Sequence, residues 1–128
     1  MVLKHKKPKY ILVIEDNGAH AEIVTELLEQ HFSPVIINIV DNIELAYSFL
    51  EQTTYSLIIT NSIVSEVRIN KHIQEIKKRF YNIPIIVITG SGNEALAAKL
   101  IKTGVNEYLS KTIETLDLLP NLLKRYLS

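Results

Sequence analysis

The sequence predicts an α/β fold in which a parallel sheet lies between two layers of helices. Three observations carry this. First, Tyr10-Ile11-Leu12-Val13-Ile14, Tyr55-Ser56-Leu57-Ile58-Ile59-Thr60-Asn61 and Ile85-Ile86-Val87-Ile88 are short apolar runs, the pattern of strands buried on both faces. Second, each run ends in polar or turn-forming residues: Glu15-Asp16-Asn17, Asn61-Ser62 and Thr89-Gly90-Ser91-Gly92. Third, the intervening stretches carry apolar residues at helical spacing, so strand and helix alternate five times. Right-handed crossovers then make the strands parallel.

Taken in order, Asn17-Gly18 reads as a turn after the first strand. Ile23, Val24, Leu27, Leu28 and His31 follow at helical spacing, with Glu22, Glu26 and Glu29 on other faces. Ser33-Pro34 stops this helix. Val35–Val40 is the second strand, and Asp41-Asn42 can cap a short helix whose inner face is Ala46, Phe49 and Leu50. After the central strand, Ile69, Ile73, Ile76 and Phe80 recur at steps of four, three and four, an amphipathic stripe ended by Asn82-Ile83-Pro84. Asn93 caps a helix holding Leu96, Leu100 and Ile101, and Gly104 stops it. Asn106-Glu107-Tyr108-Leu109 is a short fifth strand. The last helix carries Leu119, Leu122, Leu123 and Tyr126, and Pro120 suits it if it begins near Leu116 or Asp117, in the first turn. Residues 1–9 form a tail and 10–128 one domain, with no linker between.

Composition narrows the function. A chain of 128 residues, 47% of them hydrophobic, buries a real core as one domain. Zero formal net charge and no helix-turn-helix argue against nucleic acid as a partner, and the basic start Lys4-His5-Lys6-Lys7-Pro8-Lys9 reads as a solvated terminus. No cysteine means no disulfide, thiolate metal site or cysteine nucleophile. No apolar run reaches the ~20 residues of a membrane span, and a cytoplasmic domain without a membrane partner is the expectation. The last helix ends at Ser128, which suits a stand-alone domain or one separated from an output domain.

The polar strand ends hold the residues that carry chemistry. In a parallel sheet they converge on one edge, where open α/β sheets place their sites. Glu15 and Asp16 are adjacent carboxylates: oxygen ligands for a hard cation such as Mg²⁺, or acids placed near a helix N-terminus. Thr89 and Lys111 follow the fourth and fifth strands, and Tyr108 precedes Lys111 by three residues. Singly each is uninformative: such a threonine is usually a turn hydroxyl, such a lysine is usually solvated, and Tyr108 reads most simply as a half-buried aromatic.

Jointly, Glu15-Asp16-Asn17 after strand one, Asn61 after strand three, Thr89-Gly90 after strand four and Tyr108-Leu109-Ser110-Lys111 at strand five resemble the receiver domains of two-component response regulators. The resemblance runs from about Tyr10 to the end of the chain. It implies a flavodoxin-like αβα sandwich with strand order 2-1-3-4-5. In that family an aspartate at the end of strand three accepts a phosphoryl group from a histidine kinase. The acidic pair holds Mg²⁺, and the threonine and lysine contact the phosphoryl oxygens. Here the aspartate's position matches Asn61, and a neutral carboxamide is a poor nucleophile. The family's proline four residues later reads Ser65, no glycine occurs between Gly18 and Gly90, and its Lys-Pro pair reads Lys111-Thr112. A non-proline cis bond costs ~3 kcal/mol, so the Lys111–Thr112 bond is expected to be trans.

The resemblance therefore implies a pseudo-receiver rather than an enzyme. Glu15, Asp16 and Asn61 would form a weak or vestigial Mg²⁺ site. Thr89, Tyr108 and Lys111 would be phosphoryl-contact and switch positions without their usual trigger. A histidine kinase, phosphotransfer protein or downstream effector would dock on the fourth helix, fifth strand and fifth helix, whose exposed residues include Asn93, Lys99, Lys102, Glu107 and Lys124, on a monomer or weak homodimer. One alternative is a functional phosphoacceptor domain carrying an Asp-to-Asn change at Asn61. Another is an FMN carrier on the same fold; the acidic first loop repels phosphate, and Gly90-Ser91-Gly92 is a poor phosphate cradle. His5, His20, His31 and His72 read as surface or helix-packing residues.

Overall fold

The computed structural model describes residues 7–61, 66–90 and 94–127. Five strands alternate with five helices: β1 (Lys9–Ile14), α1 (Gly18–Phe32), β2 (Val35–Val40), α2 (Ile43–Gln52), β3 (Leu57–Thr60), α3 (Glu66–Arg79), β4 (Ile85–Thr89), α4 (Glu94–Thr103), β5 (Glu107–Ser110) and α5 (Ile113–Leu127). All pairings are parallel and the order is β2-β1-β3-β4-β5. The fold is the expected flavodoxin-like sandwich.

Alternation along the strands divides the core into two layers. Leu12, Ile14, Ile58, Ile85 and Val87 face α2, α3 and α4, meeting Ala46, Leu50, Ile69, Ile73, Ile76, Leu96 and Leu100. Their neighbours Ile11, Val13, Leu57, Ile59, Ile86 and Ile88 face α1 and α5, meeting Val24, Leu28, Leu119, Leu123 and Leu127. Successive strand side chains point to opposite faces, so continuous aliphatic runs are what a two-sided core requires.

Several expectations need correction. Lys9 belongs to β1 rather than to a tail, and its ammonium reaches the carbonyl of Leu127. Asn17-Gly18 is not a free turn: Asn17 caps α1 by accepting from the His20 N–H, and Gly18 is already helical. Ile23, His31 and Ile101 are exposed, because the buried stripes are Ala21-Val24-Leu28 and Leu96-Leu100. α5 begins at Ile113, three residues ahead of the expected start, because Thr112 caps it: its hydroxyl accepts from the Thr115 N–H and its carbonyl from Leu116. Pro120 thus sits inside the helix and forfeits one backbone hydrogen bond, against which α5 buries Leu119, Leu123 and Leu127. The Asn93 cap and Ser65 lie outside the described residues. Among described residues the one cis bond is Ser33–Pro34, so Lys111–Thr112 is trans.

Gly104 ends α4 as expected. It takes φ +126°, and its N–H reaches the carbonyls of Leu100 and Ile101. A Cβ there would lie 3.2 Å from the Lys77 side chain, which is held in place by its ammonium donating to the Ile83 carbonyl at 3.0 Å. Gly104→Ala is therefore expected to cost about 1–3 kcal/mol in urea denaturation, from strain at the left-handed backbone plus this contact.

Candidate functional site

The register brings the polar strand ends together. Ile14 pairs with Thr60, Thr60 with Val87 and Thr89 with Ser110, so the residues just beyond β1, β3, β4 and β5 share the carboxyl edge of the sheet. Backbone bonds hold this edge: Asn61 N–H to Ile14 at 3.1 Å and Lys111 N–H to Thr89 at 2.8 Å. Glu15, Asn61 and Thr89 are buried there.

Glu15 is the hub. One carboxylate oxygen accepts from Asn61 Nδ2 at 2.7 Å and from the Asn17 N–H at 3.2 Å. The other accepts from Lys111 Nζ at 2.6 Å. Because a carboxylate only accepts, the amide of Asn61 must turn its NH₂ group toward it. Burial raises the Glu15 pKa, but the hydrogen bonds from Lys111, Asn61 and Asn17 and the charge of Lys111 outweigh that, leaving it below the ordinary 4.5.

His20 joins this cluster from the first turn of α1. Its Nδ1 lies 2.7 Å from Lys111 Nζ and 3.8 Å from Glu15. An ammonium only donates, so Nδ1 is the acceptor in this contact. Sequence reasoning placed His20 among surface or packing residues. The signal that would have found it is its position in the first turn after the Asn17 cap, which points back at the sheet edge.

Asp16, by contrast, is exposed and does not join Glu15. Among the described residues no group of three acidic or histidine side chains gathers to hold a metal. Both Glu15 oxygens are taken by protein donors, and Asn61 offers Glu15 its amide nitrogen. As arranged, Glu15, Asp16 and Asn61 do not fit Mg²⁺.

Thr89 is fully buried at the end of β4. Tyr108 packs its ring against the α2–α4 layer of the core, and its buried hydroxyl has no hydrogen-bond partner among the described residues. The ring of Tyr108 is thus turned inward. An unsatisfied buried hydroxyl is unfavourable, so Tyr108→Phe is expected to raise stability by about 1 kcal/mol in urea denaturation.

Of the residues expected on the α4–β5–α5 face, Lys99 and Lys102 are exposed on α4. Glu107 is half-buried, accepting from the Tyr126 hydroxyl at 3.0 Å and pairing with Arg125 at 3.6 Å. Lys124 turns the other way and lines a groove of about 550 Å³ between α1 and α5. Asn93 lies outside the described residues. Two residues absent from the expectation are conspicuous: Ile101 on α4 is 47% exposed and Leu118 on α5 is 65% exposed.

A five-stranded 2-1-3-4-5 sheet whose carboxyl edge gathers an acid, an amide, a threonine and a lysine defines a receiver-type signalling domain. The profile of the response regulator receiver domain matches residues 11–123, and the chain belongs to that family. It is 29% identical over 119 residues to the hybrid signal transduction histidine kinase D of Dictyostelium discoideum, covering 89% of this chain and 7% of that protein. The chain thus spans a small part of the length of the curated relatives it matches. Among solved structures it is similar to the Mn²⁺-bound form of response regulator Rcp1, with TM-score 0.82, 25% identity and coverage of 94% of this chain and 96% of that one. A response regulator from Thermotoga maritima superposes with TM-score 0.84 at 19% identity, covering 94% and 98%. Receiver domains are signalling modules that interact with histidine kinases, phosphotransfer proteins and effectors. Among the described residues, no helix is long and apolar enough to cross a membrane.

Proposed function

We propose that this receiver domain signals by protein contact without phosphorylation, as a pseudo-receiver. The observation that carries the reading is the 2.7 Å bond from Asn61 Nδ2 to Glu15 at the position where the family keeps its reactive aspartate. A carboxamide has no anionic oxygen to attack a phosphorus centre. Its donor group also does what a cation does in an acidic site: it meets the negative oxygen of Glu15, while Lys111 neutralises the other. The cluster is satisfied within the protein.

The domain is a binding module rather than an enzyme. Its partner is a histidine kinase, phosphotransfer protein or effector. The docking face is α4–β5–α5, on which Lys99, Lys102, Ile101 and Leu118 supply an apolar surface with a basic rim. The inward Tyr108 leaves that face in one arrangement, which a partner reads without a trigger.

Two measurements test this. Incubation with acetyl phosphate and Mg²⁺, followed by intact-mass spectrometry, is expected to leave the chain unmodified; a stable phosphoryl adduct at Asn61 overturns the reading. Calorimetric titration with Mg²⁺ is expected to give no saturable heat below millimolar concentration, since binding must displace Lys111 and turn Asn61 over. Tight saturable binding would contradict the self-satisfied cluster.

A further inference from the structure

Among the described residues the sheet has two open edges, and they differ in kind. β5 carries Glu107, which is engaged by Arg125 and Tyr126. β2 reads Val-Ile-Ile-Asn-Ile-Val, with no charge and no proline along its length. Edge strands are ordinarily blunted by charges, prolines or bulges, because an unprotected edge is a template for pairing.

The hydrogen-bond register says which groups are on offer. Lys9 N–H donates to the Pro34 carbonyl and Glu15 N–H to the Val40 carbonyl. With Lys9 registered on Val35 and Ile14 on Val40, the backbone groups of Ile36, Asn38 and Val40 face β1. Those of Val35, Ile37 and Ile39 therefore point outward, where no strand pairs with them among the described residues. The side chains at this edge are partly open: Ile36 is 37% and Ile39 46% exposed.

We propose that β2 is a self-association surface whose partner is the β2 edge of a second copy of this chain. A two-fold axis perpendicular to the sheet, centred on Ile37, pairs Ile37 with its own counterpart and Val35 with Ile39 of the other copy. All three are outward-facing residues, so each of these pairs exchanges both backbone hydrogen bonds. The pairing sets β-branched aliphatic side chains opposite one another on the α1 side and brings no like charges together. Asn38, next along the strand, is already held by the Tyr55 hydroxyl at 2.7 Å, which keeps its amide on the α2 side. The edge is self-complementary because the strand is neutral and apolar in both directions. A two-fold interface requires that property, and an arbitrary partner strand does not. The area buried by one short strand is small, so the dimer is weak and exchanges readily. Nothing in this inference depends on the state of Asn61.

Sedimentation velocity over a wide concentration range tests it. The unaltered chain is expected to show a concentration-dependent dimer. Ile39→Lys and Ile37→Pro are each expected to raise the dimer dissociation constant at least about tenfold, by charge and by removal of an outward N–H. Leu118→Lys, on the helical face, is expected to leave it unchanged. A chain that stays monomeric at all attainable concentrations overturns the proposal. So does a dimer that survives both β2 substitutions or is lost with Leu118→Lys. Should a β2 variant fail to fold, amide exchange of the unaltered chain decides: concentration-dependent protection at Val35, Ile37 and Ile39 supports the edge, and its absence refutes it.

Discussion

Asn61→Asp is expected to make the domain depend on a divalent cation and to open it to acetyl phosphate. The substitution deletes the 2.7 Å donor to Glu15 and sets a second carboxylate against the first, in a buried position. Lys111 cannot neutralise both. Losing a charge-assisted hydrogen bond and gaining a like charge is expected to cost about 2–4 kcal/mol in the absence of Mg²⁺. A cation bound by the two carboxylates restores stability by mass action, about 2.7 kcal/mol at a hundredfold excess over its Kd. Urea denaturation with EDTA and with Mg²⁺ reads this directly: the unaltered protein is expected to be insensitive to the cation, and the variant stabilised by it. Labelling of the variant with acetyl phosphate would show that Thr89 and Lys111 still serve a phosphoryl group. A variant that is stabilised by Mg²⁺ yet refuses phosphate would mean that degeneration extends beyond the one amide.

Much of the fold was legible because it rests on patterns that a two-sided parallel sheet makes compulsory. Ile11 through Ile14 must all be apolar when alternate residues enter different layers, and Ile69, Ile73 and Ile76 must keep helical spacing to stay on one side. What escaped lay where one local signal competes with another. Pro120 read as a first-turn residue because proline disfavours helix interiors, yet the Thr112 cap and the burial of Leu119, Leu123 and Leu127 outweigh that penalty. Ile23 and Ile101 are as apolar as their buried neighbours, and only the rotation of α1 and α4 against the sheet decides which are covered.

That the polar strand ends meet at one edge of the sheet was legible, but how their side chains are wired was not. Asn61, Thr89 and Lys111 stood out only jointly, through the resemblance, and the sheet register places them at one edge. That Glu15 turns inward while Asp16 turns to solvent is decided just beyond the end of β1, where the strand's period of two no longer binds. His20 escaped because it stands on a helix; its approach to Lys111 depends on the Asn17 cap setting the first turn over the sheet edge.

Lys111→Met is expected to be the most destabilising single change at the cluster, and its pH dependence identifies the cause. Lys111 and Glu15 are both largely buried and lie 2.6 Å apart. Removing the cation leaves a buried carboxylate with only the Asn61 and Asn17 donors, and breaking such a pair typically costs about 3–5 kcal/mol near neutral pH. In the unaltered chain the folded Glu15 pKa lies below the ordinary 4.5, so its stabilising contribution is present above that value and is lost as pH falls through the folded one. Without Lys111 two of the causes that lower it are gone while burial, the largest single cause, remains, so the folded pKa is expected to rise. The cost of losing the cation is full at neutral pH, where Glu15 is ionised, and is relieved as acid protonates Glu15. The difference in unfolding free energy between the two proteins is therefore expected to shrink as pH is lowered through the acid range in which Glu15 takes up its proton, measured by urea denaturation in matched buffers. Lys111→Arg, which keeps the charge, is expected to recover most of the loss. A deficit that stays constant with pH would mean that Lys111 contributes packing of its stem, and that Glu15 is neutralised by something other than the ammonium.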